Sequence, residues 1–108
     1  GVTAYNSAKA FAVFAVSGTT VNFTAGTQGF NVATIARSSE GVFAVTFTNV
    51  LPTANYIVMA SGNQEGTASN QLTARPSSKT TSGFTITYDD FNGTERDCDQ
   101  GEFVVFGY

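Results

Sequence analysis

Apolar and polar positions alternate most clearly between Gly41 and Ala60. From Val42 to Thr48, Phe43, Val45 and Phe47 fall on one face, and Val42, Ala44, Thr46 and Thr48 on the other. A strand imposes this period of two on its side chains. Pro52 then fixes φ and lacks an N–H, so the chain has to leave the ladder, and Leu51 before it is pushed towards extended geometry. Tyr56 to Ala60 resumes as a second strand. This pattern predicts burial of Phe43, Val45 and Phe47, joined by Phe84 and Ile86 from a later strand. It also predicts that Tyr56, just after the corner, is buried with its hydroxyl partnered.

Other stretches repeat the strand pattern. Lys9–Ser17 places Phe11 and Val13 on one side and Ala10, Ala12, Phe14 and Val16 on the other. Two apolar faces predict a central strand or a partner chain against the second face. Val21–Thr24 is a short strand. Phe30–Arg37 sets Phe30, Val32 and Thr34 opposite Asn31, Ala33 and Ile35, and Ser38–Gly41 turns it into the next strand. Ser61–Asn70 carries no periodic signal and reads as a loop. Gln71–Arg75 reads as an edge strand ended by Pro76, followed by a polar turn over Ser77–Ser82. Gly83–Asp89 is a clear strand, Asp90–Gly101 an acidic loop, and Glu102–Tyr108 a closing apolar strand. No segment has a helical period. About eight short strands predict an all-β fold: an antiparallel, jelly-roll-like β-sandwich forming one domain over residues 1–108.

Composition narrows the function. Charged residues are 12% of the chain, about half of the roughly 25% usual for soluble domains. The net charge of −3 argues against nucleic acid as a partner. No apolar run approaches the roughly 18 residues of a membrane-spanning helix. The chain has no histidine, which excludes Ser–His and Cys–His catalysis and histidine-ligated zinc. Cys98, the single cysteine, reads as an unbridged thiol in a polar loop, the alternative being a bond to another chain.

Asp89, Asp90, Glu95, Asp97, Asp99 and Glu102 crowd one segment with Arg96 as the opposing charge. Clustered carboxylates suit calcium, but the spacing lacks the EF-hand pattern and a solvated loop is the plainer reading. Two of these acids facing each other across a sugar would suit glycoside hydrolysis, a geometry that loop spacing does not define. No catalytic residue, metal ligand or cofactor is therefore assigned, and the chain is not expected to be an enzyme. The acceptor patterns Asn22-Phe23-Thr24 and Asn92-Gly93-Thr94 are expected by chance in a sequence this rich in Asn and Thr. Phe91 and Tyr5 lie off the strand pattern and could stack on sugar rings, with packing at the core margin as the plainer role.

Three runs carry a resemblance: Phe30-Asn31-Val32-Ala33-Thr34-Ile35, Gly41 to Thr48, and Leu51-Pro52-Thr53-Ala54-Asn55-Tyr56. Together they resemble the C-terminal domains of tail fibres and tail spikes of tailed bacteriophages. Lys9-Ala10-Phe11 and the closing Phe103-Val104-Val105-Phe106-Gly107 are similar to the ends of such domains. The resemblance implies a β-sandwich head at the distal end of a homotrimeric fibre on the virion, outside the cell. It implies binding to a glycan or protein of the bacterial surface. The chain is then expected to be the C-terminal piece of a longer fibre protein. The alternatives are a structural trimerisation cap that binds nothing, and a free-standing carbohydrate-binding module.

The resemblance extends to scaffold motifs and carries no binding signature. Loops held by a rigid scaffold are the usual carriers of recognition. Gln64 and Glu65 in the first long loop, and Asp90, Phe91, Asn92 and Arg96 in the second, are the candidate receptor contacts. Ala10, Ala12 and Ala15 are expected to allow close approach of three chains near the fibre axis.

Overall fold

The computed structural model describes residues 7–64 and 66–107, with residues 67–69 described by their backbone alone. The described strands are β1 (Ala8–Ser17), β2 (Thr20–Asn22), β3 (Gly29–Phe30), β4 (Val32–Ser39), β5 (Val42–Phe47), β6 (Tyr56–Gln64), β7 (Thr67–Gln71), β8 (Thr73–Thr80), β9 (Gly83–Asp89) and β10 (Cys98–Gly107). They form two antiparallel sheets. One runs β2-β1-β10-β6-β7, with β3 also paired to β1; the other runs β4-β5-β9-β8. The expected all-β sandwich is present, built from more and longer strands than the apolar pattern alone marks out.

The two sheets meet over the residues that alternate inward. Phe43, Val45, Phe47, Phe84 and Ile86 are buried from one side, and Ala10, Ala12, Phe14, Phe103 and Val105 from the other. Aromatic rings interlock across the gap: Phe84 meets Phe103 edge-on at 5.2 Å, and Phe14 meets Phe43 at 5.5 Å. Such tilted and edge-to-face pairs place the positive ring edge on the negative face. Gly101 borders this packing, since a Cβ there would collide with the Phe14 ring.

Tyr56 enters the same core beside Phe47 and Phe84. Its hydroxyl faces the carbonyls of Thr80 at 2.9 Å and Gly83 at 2.8 Å. The Pro-fixed corner thus delivers a tyrosine from one sheet to the hairpin of the other, as its position predicts. Leu51 is buried beneath the corner.

Several expectations are corrected, each for a backbone reason. The Phe30–Arg37 strand is two strands in different sheets. Asn31 between them takes φ 57°, a left-handed conformation that asparagine tolerates better than most residues. Its side-chain amide donates to the carbonyls of Lys9 and Asn49 and accepts from the Asn49 N–H. The pairing with β5 is irregular between Val32 and Thr34, so Val32 and Ile35 both face the core and Phe30 faces water.

Ser61–Asn70 is a hairpin rather than a loop. β6 continues to Gln64 because its backbone pairs with β10, whatever the polarity of its side chains. Pro76 does not end its strand. β8 is a sheet edge, which needs only one side of its backbone for pairing, and Pro76 sits opposite Ile86 in continuous register. The acidic loop is shorter than expected, since β10 begins at Cys98. Cys98 is wholly buried in that strand, not in a polar loop. Ala10 and Ala12 point into the sandwich, so they cannot line an axis between chains. The outward face of β1 carries the large residues Phe11 and Val13, with Ala15 half-buried beside them.

Antiparallel pairing also fixes where the connections lie. Ala8 pairs with Phe106, which puts both ends of the described chain at one pole of the sandwich. The turn after β4, the turn after β6 and the loop between β9 and β10 lie at the opposite pole, where Cys98 pairs with Gln64.

Candidate loop-pole site

This second pole gathers most of the residues singled out from the sequence. Asp90 organises the 90–97 loop. Its Oδ1 accepts the N–H groups of Asn92 at 2.9 Å and Thr94 at 3.0 Å, and its Oδ2 accepts Arg96 Nε at 3.1 Å. Backbone bonds from Asp90 to Thr94 and from Gly93 to Asp90 close the same turn. An aspartate that bonds the backbone just ahead of it makes the loop its own scaffold. The Thr94 N–H, with help from the Arg96 guanidinium, holds the Asp90 carboxyl below its usual pKa despite partial desolvation.

Arg96 is shared between loops. Its backbone N–H donates to the Tyr88 carbonyl at 3.0 Å, and its guanidinium reaches Glu40 of the β4–β5 turn at 4.0 Å. Glu40, Gln64, Arg96 and Asp97 line a polar notch of about 150 Å³. Gln64 Oε1 also accepts from Asn70 Nδ2 at 3.4 Å, across its own hairpin. Phe91, at the loop tip, is 92% exposed, and Asn92 beside it is also exposed. Glu65 and Tyr5 lie outside the described residues. The structure therefore brings Gln64 and Arg96 together, gives Asp90 a bracing role, and leaves Phe91 and Asn92 presented to solvent.

The base of the pole is held by a pair that the sequence does not advertise. Asp97 is buried, and both its oxygens receive Arg37 Nε at 3.1 Å, with Arg37 Nη2 at 3.0 Å from Oδ2. Its Oδ1 also accepts the Gly41 N–H at 2.8 Å. Gly41 takes φ 76°, and a Cβ there would meet Arg96 N at 2.7 Å, so only glycine lets the turn and the loop approach this closely. The Gly41 carbonyl in turn accepts from Tyr88 N at 2.8 Å. Asp97 reads in the sequence as one more acid of a loop, and its pairing with Arg37 is not legible there because the two stand 60 residues apart in the chain. Only the strand order brings them together.

The acidic segment has more opposition than Arg96. Arg37 takes Asp97, and Arg75 takes Asp89 at 2.8 Å. Ser61 donates to Glu102 at 3.1 Å, and the Gly66 N–H donates to Asp99 at 3.3 Å. Carboxylates directed into separate contacts do not converge on one point. Among the described residues no three Cys, Asp or Glu side chains are grouped to hold a metal ion. The arrangement can offer donors and acceptors for a polar ligand, and an aromatic face at Phe91.

No family model, curated protein or solved structure matches the chain.

Proposed function

We propose that this domain is the head of a bacteriophage tail fibre, carried on the virion as part of a homotrimer, and that its loop pole binds a glycan or protein of the bacterial surface. It performs no catalysis in this reading. The observation that supports it is the placement of the loops. A braced polar rim with a protruding Phe91 lies at the pole opposite the paired ends Ala8 and Phe106. A domain held by either end would present that rim outward. Arg96, Gln64 and Glu40 supply the donors and acceptors that order a hydroxyl-rich ligand, and Phe91 supplies a flat apolar face. The sparse charge leaves recognition to hydrogen bonding and stacking.

The test is binding of the labelled domain to host cells, with a glycan array to identify the ligand class. Phe91→Ala and Arg96→Ala should each weaken binding about tenfold, a loss of about 1.4 kcal/mol, and leave the fold intact. Undiminished binding in the double variant would move the site to another surface. The non-binding cap is favoured by a different observation, the apolar outer face of the larger sheet. A domain that assembles but labels no cells would establish it.

A further inference from the structure

The outer face of the larger sheet carries a transverse row of apolar side chains across four adjacent strands. Phe30 of β3 stands opposite Phe11 of β1, Phe11 opposite Val104 of β10, and Val104 opposite Met59 of β6. The Phe11 and Phe30 rings stack at 5.8 Å. Val13 and Ile57 flank the row on the same face. Phe11, Val13, Phe30, Ile57 and Met59 are respectively 45%, 45%, 52%, 61% and 60% exposed. A groove of about 430 Å³ runs along the face, lined by Phe11, Val13, Met59, Phe103 and Val104. Glu102 borders the row and is engaged by the Ser61 hydroxyl.

We propose that this face is the surface on which copies of the chain meet. The area fits. The five side chains leave on the order of 500 Å² of apolar surface in water, at the upper end of what monomers show. A standard interface buries roughly 800 Å² a side, of which about 60% is apolar, so it needs about 480 Å² of apolar surface from each copy. A second copy supplies a face of the same extent, with side chains able to enter the groove.

A bound peptide fits less well. β1 and β10 are hydrogen-bonded on both sides along this row, and β6 pairs with β7 only at Asn63 and Gln64, so a strand added beside Met59 would extend the sheet without covering the row. The row also spans about 14 Å between its outermost strands, roughly three times the width that one extended segment running with the strands covers. This proposal rests on the oligomeric half of the function proposed above. It relocates the contact from Ala10 and Ala12, which face inward, to Phe11, Val104 and Met59.

Sedimentation of the whole chain between about 1 and 50 µM tests it, alongside Met59→Glu and Thr46→Glu. Thr46 is exposed on β5, in the other sheet. The unaltered chain and Thr46→Glu should sediment as one oligomer. Met59→Glu should sediment as a folded monomer, its dissociation constant raised at least a hundredfold, because the added charge would be desolvated at the contact. Circular dichroism confirms folding, and Val104→Asp serves as a second variant if Met59→Glu fails to fold. A monomeric unaltered chain overturns the proposal, whether the face is bare or covered by the chain's own residues. An oligomer indifferent to both substitutions on the face also overturns it. A dimer keeps the interface and removes the trimeric fibre. Failure of host-cell binding with assembly intact refutes the receptor function and leaves the interface standing.

Discussion

Replacing Asp97 by alanine should cost about 2–3 kcal/mol of folding free energy. Four contacts set the size: three from the Arg37 guanidinium and one from the Gly41 N–H. Breaking a fully buried pair by removing one partner costs about 3–5 kcal/mol, whereas an exposed pair contributes about 0–1. The side chains here are 20% and 10% exposed, which places the pair nearer the buried limit with some relief from solvent. The truncated variant leaves a desolvated guanidinium and an orphaned N–H, and each carries its own penalty. Urea denaturation measures the loss as a shift in midpoint at constant slope, and the melting temperature should fall by about 10–15 °C. Asp97→Asn should lose less, because an amide oxygen can still accept from Gly41. Arg37→Ala and the double variant complete a cycle whose coupling term should exceed about 1 kcal/mol. A loss below about 0.5 kcal/mol for Asp97→Ala would place the pair with ordinary surface charges. The bracing of the loop pole described here would then be wrong.

Two further outcomes are expected. Phe47→Ala should cost about 3–5 kcal/mol in the same denaturation assay, because Phe47 is buried against the Tyr56 and Phe84 rings; a loss near zero would mean the core is assigned to the wrong face. Burial raises the pKa of both Tyr56 and Tyr88 above the usual 10.0, against a smaller opposing effect of the Thr80 bond at Tyr56. A raised folded-state pKa means that the stabilisation is complete below the unfolded value and is lost as pH rises past it. The domain should therefore lose stability from about pH 10 upward, and Tyr88→Phe should flatten that decline in pH-resolved melting curves; an unchanged slope would contradict the burial.

The parts of the fold legible in the sequence are those where side-chain chemistry and backbone pairing agree. Phe43, Val45 and Phe47 alternate because β5 is central and one of its faces is dry. Pro52 and Tyr56 announce a corner through fixed φ and a ring that must be buried. Legibility fails where pairing alone holds a strand. Asn63 and Gln64 are polar and half-exposed, and their strand is set by β10 beside it. Pro76 misleads because its cost depends on whether the strand is central or an edge, which is a property of sheet order. Asn31 looks like one more step in an alternation, yet its positive φ sends the chain from one sheet to the other. At the loop pole, the surface position of Asp90, Phe91, Asn92 and Arg96 was legible because irregular polar segments tend to lie outside the core; Gln64 shares that pole from the end of a strand. The pairing of Arg37 with Asp97 was not legible, since nothing local marks an arginine on a strand as the partner of a distant acid.

The pairing of Ala8 with Phe106 has a mechanical consequence. β1 and β10 lie side by side and antiparallel from Ala8 to Ala15, with Ala8 and Phe106 at one pole. Force applied between the two ends would open this seam one hydrogen bond at a time, as a zip. Force applied between either end and the opposite pole would run along the strands. It would then load the hydrogen bonds of the seam in parallel, and they would have to slip together. The same domain is thus compliant in one direction and stiff in the other. The stiff direction is the one along which a grip at the loop pole would be pulled against an anchor at the chain ends.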